Sequence, residues 1–392
     1  MEWFWLSLVI FVATLSSLVS MTFGVRKVRQ LADIPPLAGA SAPRVSVVVS
    51  ALDEAATIEP GLRSLLALDY PDLEVVAIDD RSTDSTGAIL DRLAAADPRL
   101  RVLHIRELPA GWLGKNNALQ QGAAMATGDY LLFTDADVMF EPQALRRAVN
   151  YCRQERLDHL VVIPEFTASS TLLAALLLNV WWFMFKMHAP WKVRRSRHTH
   201  IGMGAFNLVR ATSYRQAGGH VPLRMEVIDD VQLGKLMKEH GFVQDALFGG
   251  PCVVVEWYPD APALMRGLEK NSFASVHYSL PLLVLLSIAM LVGHCWPVIG
   301  LFVTSGVVWW MNLGAAAAIA LLNVVLWRTT RYPARCLWWW LLTPLMMLGV
   351  MWRGVVLTLA RGGVRWRGTF YPLAELKRGR KQVVVPEVQP SA

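Results

Sequence analysis

Charge is scarce in this chain. Charged residues make up 18% of its 392 positions, where a soluble domain usually carries about 25%. Hydrophobic residues reach 54% and tryptophan occurs 16 times, so part of the chain is expected in lipid. Acid is the scarcer sign, leaving a formal charge of +7. In a soluble protein that surplus would suggest nucleic acid. In a lipid-rich one it reads as cytoplasmic juxtamembrane Lys and Arg, and no nucleic-acid partner is expected. Cysteine is sparse too: Cys152, Cys252, Cys295 and Cys336 lie far apart, which excludes a disulfide framework and a spaced zinc site. No GxGxxG closes the first strand and no GxxxxGK[ST] occurs, so dinucleotide-dehydrogenase and P-loop chemistry are disfavoured.

Uncharged runs are plentiful. Trp3 to Phe23 is apolar, with Arg26, Lys27 and Arg29 behind it. Its length suits a span, and basic residues after rather than before the apolar core argue against a signal peptide. Residues 1–25 are therefore read as a transmembrane anchor ending in the cytoplasm. Leu280 to Thr304 and Ser305 to Trp327 are each long enough to cross, and Arg328, Arg331 and Arg335 follow. Leu337 to Trp352 is short, contains Pro344 and precedes a basic tail. A single crossing would put that charge outside, so both a re-entrant segment and a plain third span stay open. The region 279–360 is assigned to the membrane and 361–392 to a basic cytoplasmic tail. Thr171 to Phe185 is too short to span, and with Trp181, Trp182, Lys186 and Trp191 residues 171–191 are read as an interfacial amphipathic segment.

Residues 44–271 form the soluble region. Buried-strand runs at Val45–Val49, Glu74–Ile78, Arg101–Ile105, Tyr130–Phe133 and Leu160–Ile163 alternate with helical patterns at Glu54–Leu68, Asp84–Ala96, Lys115–Thr127 and after Pro142. That alternation means βαβ units and a parallel sheet covered on both faces, with ligands at the C-terminal strand ends. Two of those ends are acidic: Asp79-Asp80 and Asp135-Ala136-Asp137. Capping accounts for Ser82 or Asp84 but leaves the paired acids over. Carboxylates are hard ligands suited to Mg²⁺ or Mn²⁺, and such an ion would neutralise a departing diphosphate. Asp229 and Asp230 open a later helix. Acids there often only complement the helix dipole; the functional reading is a base for an attacking hydroxyl.

Together VSVVVSALDEAATI, YPDLEVVAIDDRSTDST, GWLGKNNALQQGAAMATGDYLLFTDADV, GMGAFNLVR and VIDDVQLGKLMKEHG resemble the family 2 inverting glycosyltransferases, which have the α/β, Rossmann-like GT-A fold. The membrane hairpin and the ending GGVRWRGTFYP look like the lipid-glycosylating branch, such as the carotenoid-acid and hopanoid-associated glycosyltransferases. The resemblance implies that Ala51, Asp53 and Glu54 line the nucleoside pocket and that Asp79 and Asp80 meet uracil and ribose. It puts Lys115 near the donor and Asp135 and Asp137 on metal and diphosphate. Gly204, Ala205 and Phe206 would flank the acceptor. Asp230 would be the base, with Asp229 beside it. Ser50 and Asp53 depart from the usual proline and asparagine, and Asp229 from glutamate. The QxxRW motif of processive synthases is missing; Arg365, Trp366 and Arg367 are the nearest equivalent and are expected to reach the donor if the tail returns to the domain.

The implied function is transfer of one sugar from a nucleotide-sugar, expected to be UDP-linked, to a lipid acceptor by a multi-pass enzyme of the cytoplasmic membrane whose catalytic domain faces the cytoplasm. A processive polysaccharide synthase and a non-catalytic sugar-nucleotide-binding scaffold are the alternatives. The basic stretch Lys192, Arg194, Arg195, Arg197, His198 and His200 is either a solvated loop or a contact for anionic headgroups.

Overall fold

The architecture comes from a computed structural model that describes residues 2–39 and 42–381. Ten strands are present among these: β1 Val45–Ala51, β2 Leu73–Asp80, β3 Leu100–Ile105, β4 Tyr130–Asp135, β5 Val138–Phe140, β6 His159–Phe166, β7 Asn207–Arg210, β8 Gln244–Val255, β9 Gly363–Trp366 and β10 Thr369–Pro372. The helices are α1 Phe4–Val25, α2 Ile58–Leu66, α3 Thr86–Ala96, α4 Gly114–Met125, α5 Ala144–Gln154, α6 Thr171–His188, α7 Ala211–Gln216, α8 Asp229–Glu239, α9 Ala261–Gly267, α10 Glu269–Ser275, α11 Leu280–Val303, α12 Gly306–Trp327, α13 Thr343–Arg361 and α14 Leu373–Lys381.

Eight strands form one sheet in the order β3-β2-β1-β4-β7-β6-β8-β5. Every residue of β1 is buried, because successive side chains alternate between two covered faces. Val45, Val47 and Val49 join one core with α2, and Val48 joins the other with α4. The sheet is not purely parallel, which corrects the sequence expectation. β7 runs antiparallel to both β4 and β6, and β5 antiparallel to β8. β7 is a short return strand placed between β4 and β6 by the glycine-rich turn at residues 202–204, a feature the βαβ rhythm does not announce.

The hydrophobic helices divide into two groups. α1 packs along α12, and α11 along α12, so these three make a bundle. α11 has 24 residues, or about 36 Å at 1.5 Å per residue, enough to cross a bilayer core of about 30 Å. α13 instead lies along α10 of the domain. Its Arg353 pairs with Glu269, and a side chain at Gly354 would meet the Glu269 carbonyl at 2.8 Å. A mid-helix cation held by a domain acid makes α13 a packing partner of the domain, and its C-terminal end delivers β9 and β10 back to that domain. One core joins Leu113, Val227, Phe273, Val355, Val364 and Tyr371.

α6 requires a correction. It runs for 18 residues, and five described helices including this one are long and apolar enough to cross a membrane. Yet Leu173 to Leu178 are all buried, so its first half is a core helix. Only its second half exposes Phe183 and Met187, and the interfacial reading fits that half alone. Part of the basic tail, beyond residue 381, lies outside the described residues.

Candidate active site

Register brings the two acidic strand ends together. Ala51 pairs with Asp79 on one side of β1, while Ser50 pairs with Asp135 on the other. Both acid clusters therefore lie on one sheet edge, separated by a single strand, about 5 Å from each neighbour.

Lys115 lies at the centre of the deeper half. α4 starts at Gly114 and carries the Lys115 Nζ to within 2.8 Å of Asp135 Oδ1 and 3.6 Å of Asp229 Oδ2. Burial alone would lower its pKa, but Asp135, Asp229 and Asp230 together raise it. Burial would likewise raise Asp135, and Lys115 overrides this and holds it low. Asp229 has no such excess of positive charge; burial, only partly offset by Lys115, pushes it up to about 6. The loop before α8 is tied to α4 by Asn116, whose Nδ2 donates to Leu223 O at 2.6 Å and Glu226 O at 2.9 Å.

Gly204 joins β4 to α8. Its N–H donates to Asp230 Oδ2 at 2.8 Å, and its carbonyl accepts from the Asp135 N–H at 3.0 Å. A side chain at Gly204 would collide with the Asp135 carboxylate, so only glycine permits this approach. Ala205 and Phe206, next in the motif, are buried in the core, where Phe206 packs on Phe140 at 6.1 Å. The Phe206 side chain is thus a core group rather than an acceptor surface, a correction to the motif-based expectation.

Asp137 follows β4 on the far side of Ala136. Burial first, and then Asp135, pushes its carboxyl up to about 7. Burial and then the same two acids raise the Tyr258 phenol. Among the described residues no cluster of three His, Cys, Asp or Glu side chains could hold a metal ion. The pair fits a hard divalent cation as a partial donor set of two carboxylates, completed by diphosphate oxygens and water. A carboxyl held unfavourably charged beside a like charge is what a cation would relieve.

The C-terminal hairpin closes over this edge. β9 and β10 are joined by Arg367 and Gly368, with φ of 45° and 75°, the two-residue turn that matches strand twist. Arg367 Nη2 donates to Glu54 Oε1 at 2.7 Å. Tyr371 Oη accepts from the Gly114 N–H at 3.1 Å, at the start of α4. Trp366 lies under Lys270, whose Nζ is 4.2 Å from the ring centroid, within cation–π range. Burial first, then Lys115 and Arg367, brings Lys270 down to about 8. Arg365 is exposed; strand alternation turns it from the Trp366 face. Of the three residues expected at the donor, the structure brings Trp366 and Arg367 to this edge and leaves Arg365 out.

The shallower half holds the other expected residues in a network of their own. Asp53 (φ 53°) accepts from the Thr83 N–H at 2.7 Å and the Asp84 N–H at 3.3 Å. This ties the loop after β1 to the loop after β2. Asp79 accepts from the Ser82 N–H at 3.1 Å and is 2.8 Å from His104 Nδ1. Asp79 first, then Asp91, raises the His104 pKa. Asp80 is held bidentately by Arg81 at 2.8 and 3.0 Å. Both acids are almost fully buried, and Ala51 offers only backbone because its side chain is in the core. Sequence reasoning missed Lys270, Tyr371, Arg81 and His104. Tyr371 lay inside a motif already singled out, whereas nothing marked Lys270 among ordinary surface lysines.

Residues 46–218 match the family model described as glycosyl transferase family 2. A beta-monoglucosyldiacylglycerol synthase of Synechocystis sp. is 38% identical over 126 residues, 30% of this chain and 26% of that protein. The glycosyltransferase AglD of Haloferax volcanii is 35% identical over 131 residues, 32% of this chain and 20% of that one. The matches thus span about a quarter or less of these relatives' own length. A solved mannosyltransferase of Pyrobaculum calidifontis, in complex with GDP-Man and Mn²⁺, superposes with a TM-score of 0.58 at 18% identity, covering 90% of this chain and 97% of that one. At that identity the likeness establishes the GT-A fold. Residues 46–218 therefore resemble glycosyl transferase family 2, on a GT-A sheet whose acidic edge is the one described above.

Proposed function

We propose that the protein is a membrane-bound inverting glycosyltransferase that moves one sugar from a nucleotide-sugar, UDP-linked by preference, to the hydroxyl of a lipid. The observation that carries this reading is the convergence of Lys115, Asp135 and Asp230 around the Gly204 backbone, with Asp137 two residues beyond Asp135, in a chain that also has a three-helix hydrophobic bundle. The match to a monoglucosyldiacylglycerol synthase supports a lipid acceptor.

In this reading the nucleoside lies over Asp53, Asp79 and Asp80 and the diphosphate extends toward Asp135. Asp135 and Asp137 would hold a divalent cation, which supplies charge neutralisation of the leaving diphosphate when bound. Arg367, now on Glu54, is a second cation that can turn to the diphosphate and bind it bidentately. Trp366 and Lys270 wall the sugar. Asp230 takes the proton from the acceptor hydroxyl as its oxygen bonds to the anomeric carbon. The bond from that carbon to the diphosphate breaks on the opposite face, so configuration inverts. One carboxylate base suffices, unlike the pair used in glycoside hydrolysis. Asp229 and Lys115 keep Asp230 and Asp135 in place. The bundle α1, α11 and α12 spans the cytoplasmic membrane, α13 lies at its surface, and the domain and hairpin share the cytoplasmic side.

Purified protein in nanodiscs with UDP-sugars and a diacylglycerol tests the reading. Transfer should require Mg²⁺ or Mn²⁺ and vanish in Asp137→Ala, with weakened donor binding; full activity in excess EDTA would sink the metal assignment.

A further inference from the structure

A second cavity, of about 240 Å³, lies where the domain meets the membrane bundle. Gln30, Glu165 and Trp181 line it from the domain, and Arg328, Arg331 and Tyr332 from the link that follows α12. It shares no lining residue with the acid cluster.

The charges point to an anion. Arg328 directly follows the last residue of the uncharged α12, at the level where a span gives way to headgroups. Arg331 is engaged by Glu165 at 3.4 Å. The Arg328 side chain has no hydrogen-bond or ion-pair partner among the described residues, so the wall keeps one uncompensated positive charge.

Two polar groups in the same wall lack what they need. Trp181 Nε1 and Tyr332 Oη are buried without a well-formed hydrogen-bond partner, on side chains only 5% and 7% exposed. Trp181 lies near enough to act on the Tyr332 hydroxyl. An indole N–H directed at that oxygen still leaves the phenolic proton without an acceptor. Native proteins rarely leave such groups unmatched. The link itself is fixed, since Trp327 Nε1 donates to Tyr332 O at 2.7 Å. Apart from Thr329 and Thr330, the rest of the wall is apolar, with Phe166, Phe185 and Phe248. An acceptor oxygen bearing negative charge, on a molecule with an apolar remainder, satisfies the Arg328 charge and the Tyr332 proton together.

We propose that this cavity binds the phosphate headgroup of an anionic membrane lipid, with Arg328 and Tyr332 as its donors and Trp181 holding the Tyr332 hydroxyl, and so fastens the membrane link to the sheet. The proposal is independent of sugar transfer.

The full chain, purified in detergent, would be titrated with dioleoyl phosphatidylglycerol, dioleoyl phosphatidylcholine and inorganic phosphate, and bound ligand read by native mass spectrometry. Wild type should hold phosphatidylglycerol in preference to phosphatidylcholine. Arg328→Gln with Tyr332→Phe should weaken that by about tenfold or more, the scale of losing one cation and one donor. Arg106→Gln, exposed directly after β3, should leave it unchanged. Equal retention of both lipids by wild type, or unchanged retention in the folded double variant, overturns the proposal. Inorganic phosphate binding as tightly as the lipid also overturns it, in favour of a soluble phosphate ligand. Should the double variant fail to fold, Tyr332→Phe alone decides: it removes an oxygen without opening a void, and severalfold weaker retention supports the site while unchanged retention refutes it.

Discussion

Asp230 sits in the first turn of α8, with one carboxylate oxygen on the Gly204 N–H, while Asp229 beside it is turned to Lys115. The single-residue step that separates their directions separates their roles: Asp229 is buried beside a fixed cation, and Asp230 is only half-buried. Asp230→Asn is nearly isosteric and keeps an oxygen for the Gly204 N–H. Donor affinity by calorimetry should survive while turnover falls by roughly 10²-fold or more, the scale of losing a general base; unchanged turnover would remove Asp230 from that role. Lys115 acts differently. Removing it would leave Asp135 and Asp229 without their shared cation, and breaking a buried pair from one side costs about 3–5 kcal/mol. Lys115→Met should therefore lower the thermal midpoint as well as activity, which a residue that touched only substrate would not do.

The hairpin β9–β10 is the element that completes the edge, because Arg367 and Tyr371 reach Glu54 and Gly114 more than 250 residues away in sequence. Arg367→Ala should cut turnover strongly while leaving membrane insertion intact. A cysteine at Arg365, which is exposed, should react with a membrane-impermeant thiol reagent from the same side as one at Arg63 on α2; reaction from the opposite side would rule out a hairpin over the active edge. Much of this was legible in the sequence. The strand ends after Val45–Val49 and Tyr130–Phe133 declare themselves through buried runs followed by acids, and the awkward length of Leu337–Trp352 already hinted at a returning tail. Other parts were not. β7 has four residues, too few for a period to register. Leu173–Leu178 is apolar on every side, and a buried core helix and a lipid-facing one share that pattern. Lys270 draws its altered chemistry from burial first and then from Lys115 and Arg367, surroundings made only by folding. Phe206 and Arg365 show the limit of motif transfer: the segment arrives at the edge, but side-chain direction is set by packing and strand alternation.

At the scale of the whole molecule, buried titrating groups pull in opposite directions. Burial holds His159 down at about 4 and His220 at about 3, while it raises Asp137 to about 7 and Asp229 to about 6. The histidines contribute stability that is full above their unfolded value near 6.5 and is lost as pH falls through the folded one; the raised carboxyls do the reverse. Where their windows overlap these four groups oppose one another, and a difference measurement isolates one group. His159 bridges Asn207 at 3.1 Å and Gln244 at 2.7 Å on the sheet. The thermal midpoint of wild type minus that of His159→Gln should be largest above pH 7 and shrink steadily between 6.5 and 4. A difference that grew toward acid would mean a charged, stabilising histidine.

The same scale holds the central claim, that a GT-A edge and a hydrophobic bundle in one chain serve transfer of a single sugar to lipid. Mass spectrometry of total lipids from cells expressing the protein, beside cells expressing Asp230→Asn, tests it most directly. The account predicts a lipid species heavier by one sugar residue in the first and absent from the second. Sugar polymer without any singly glycosylated lipid, or the same new lipid in both, would contradict it.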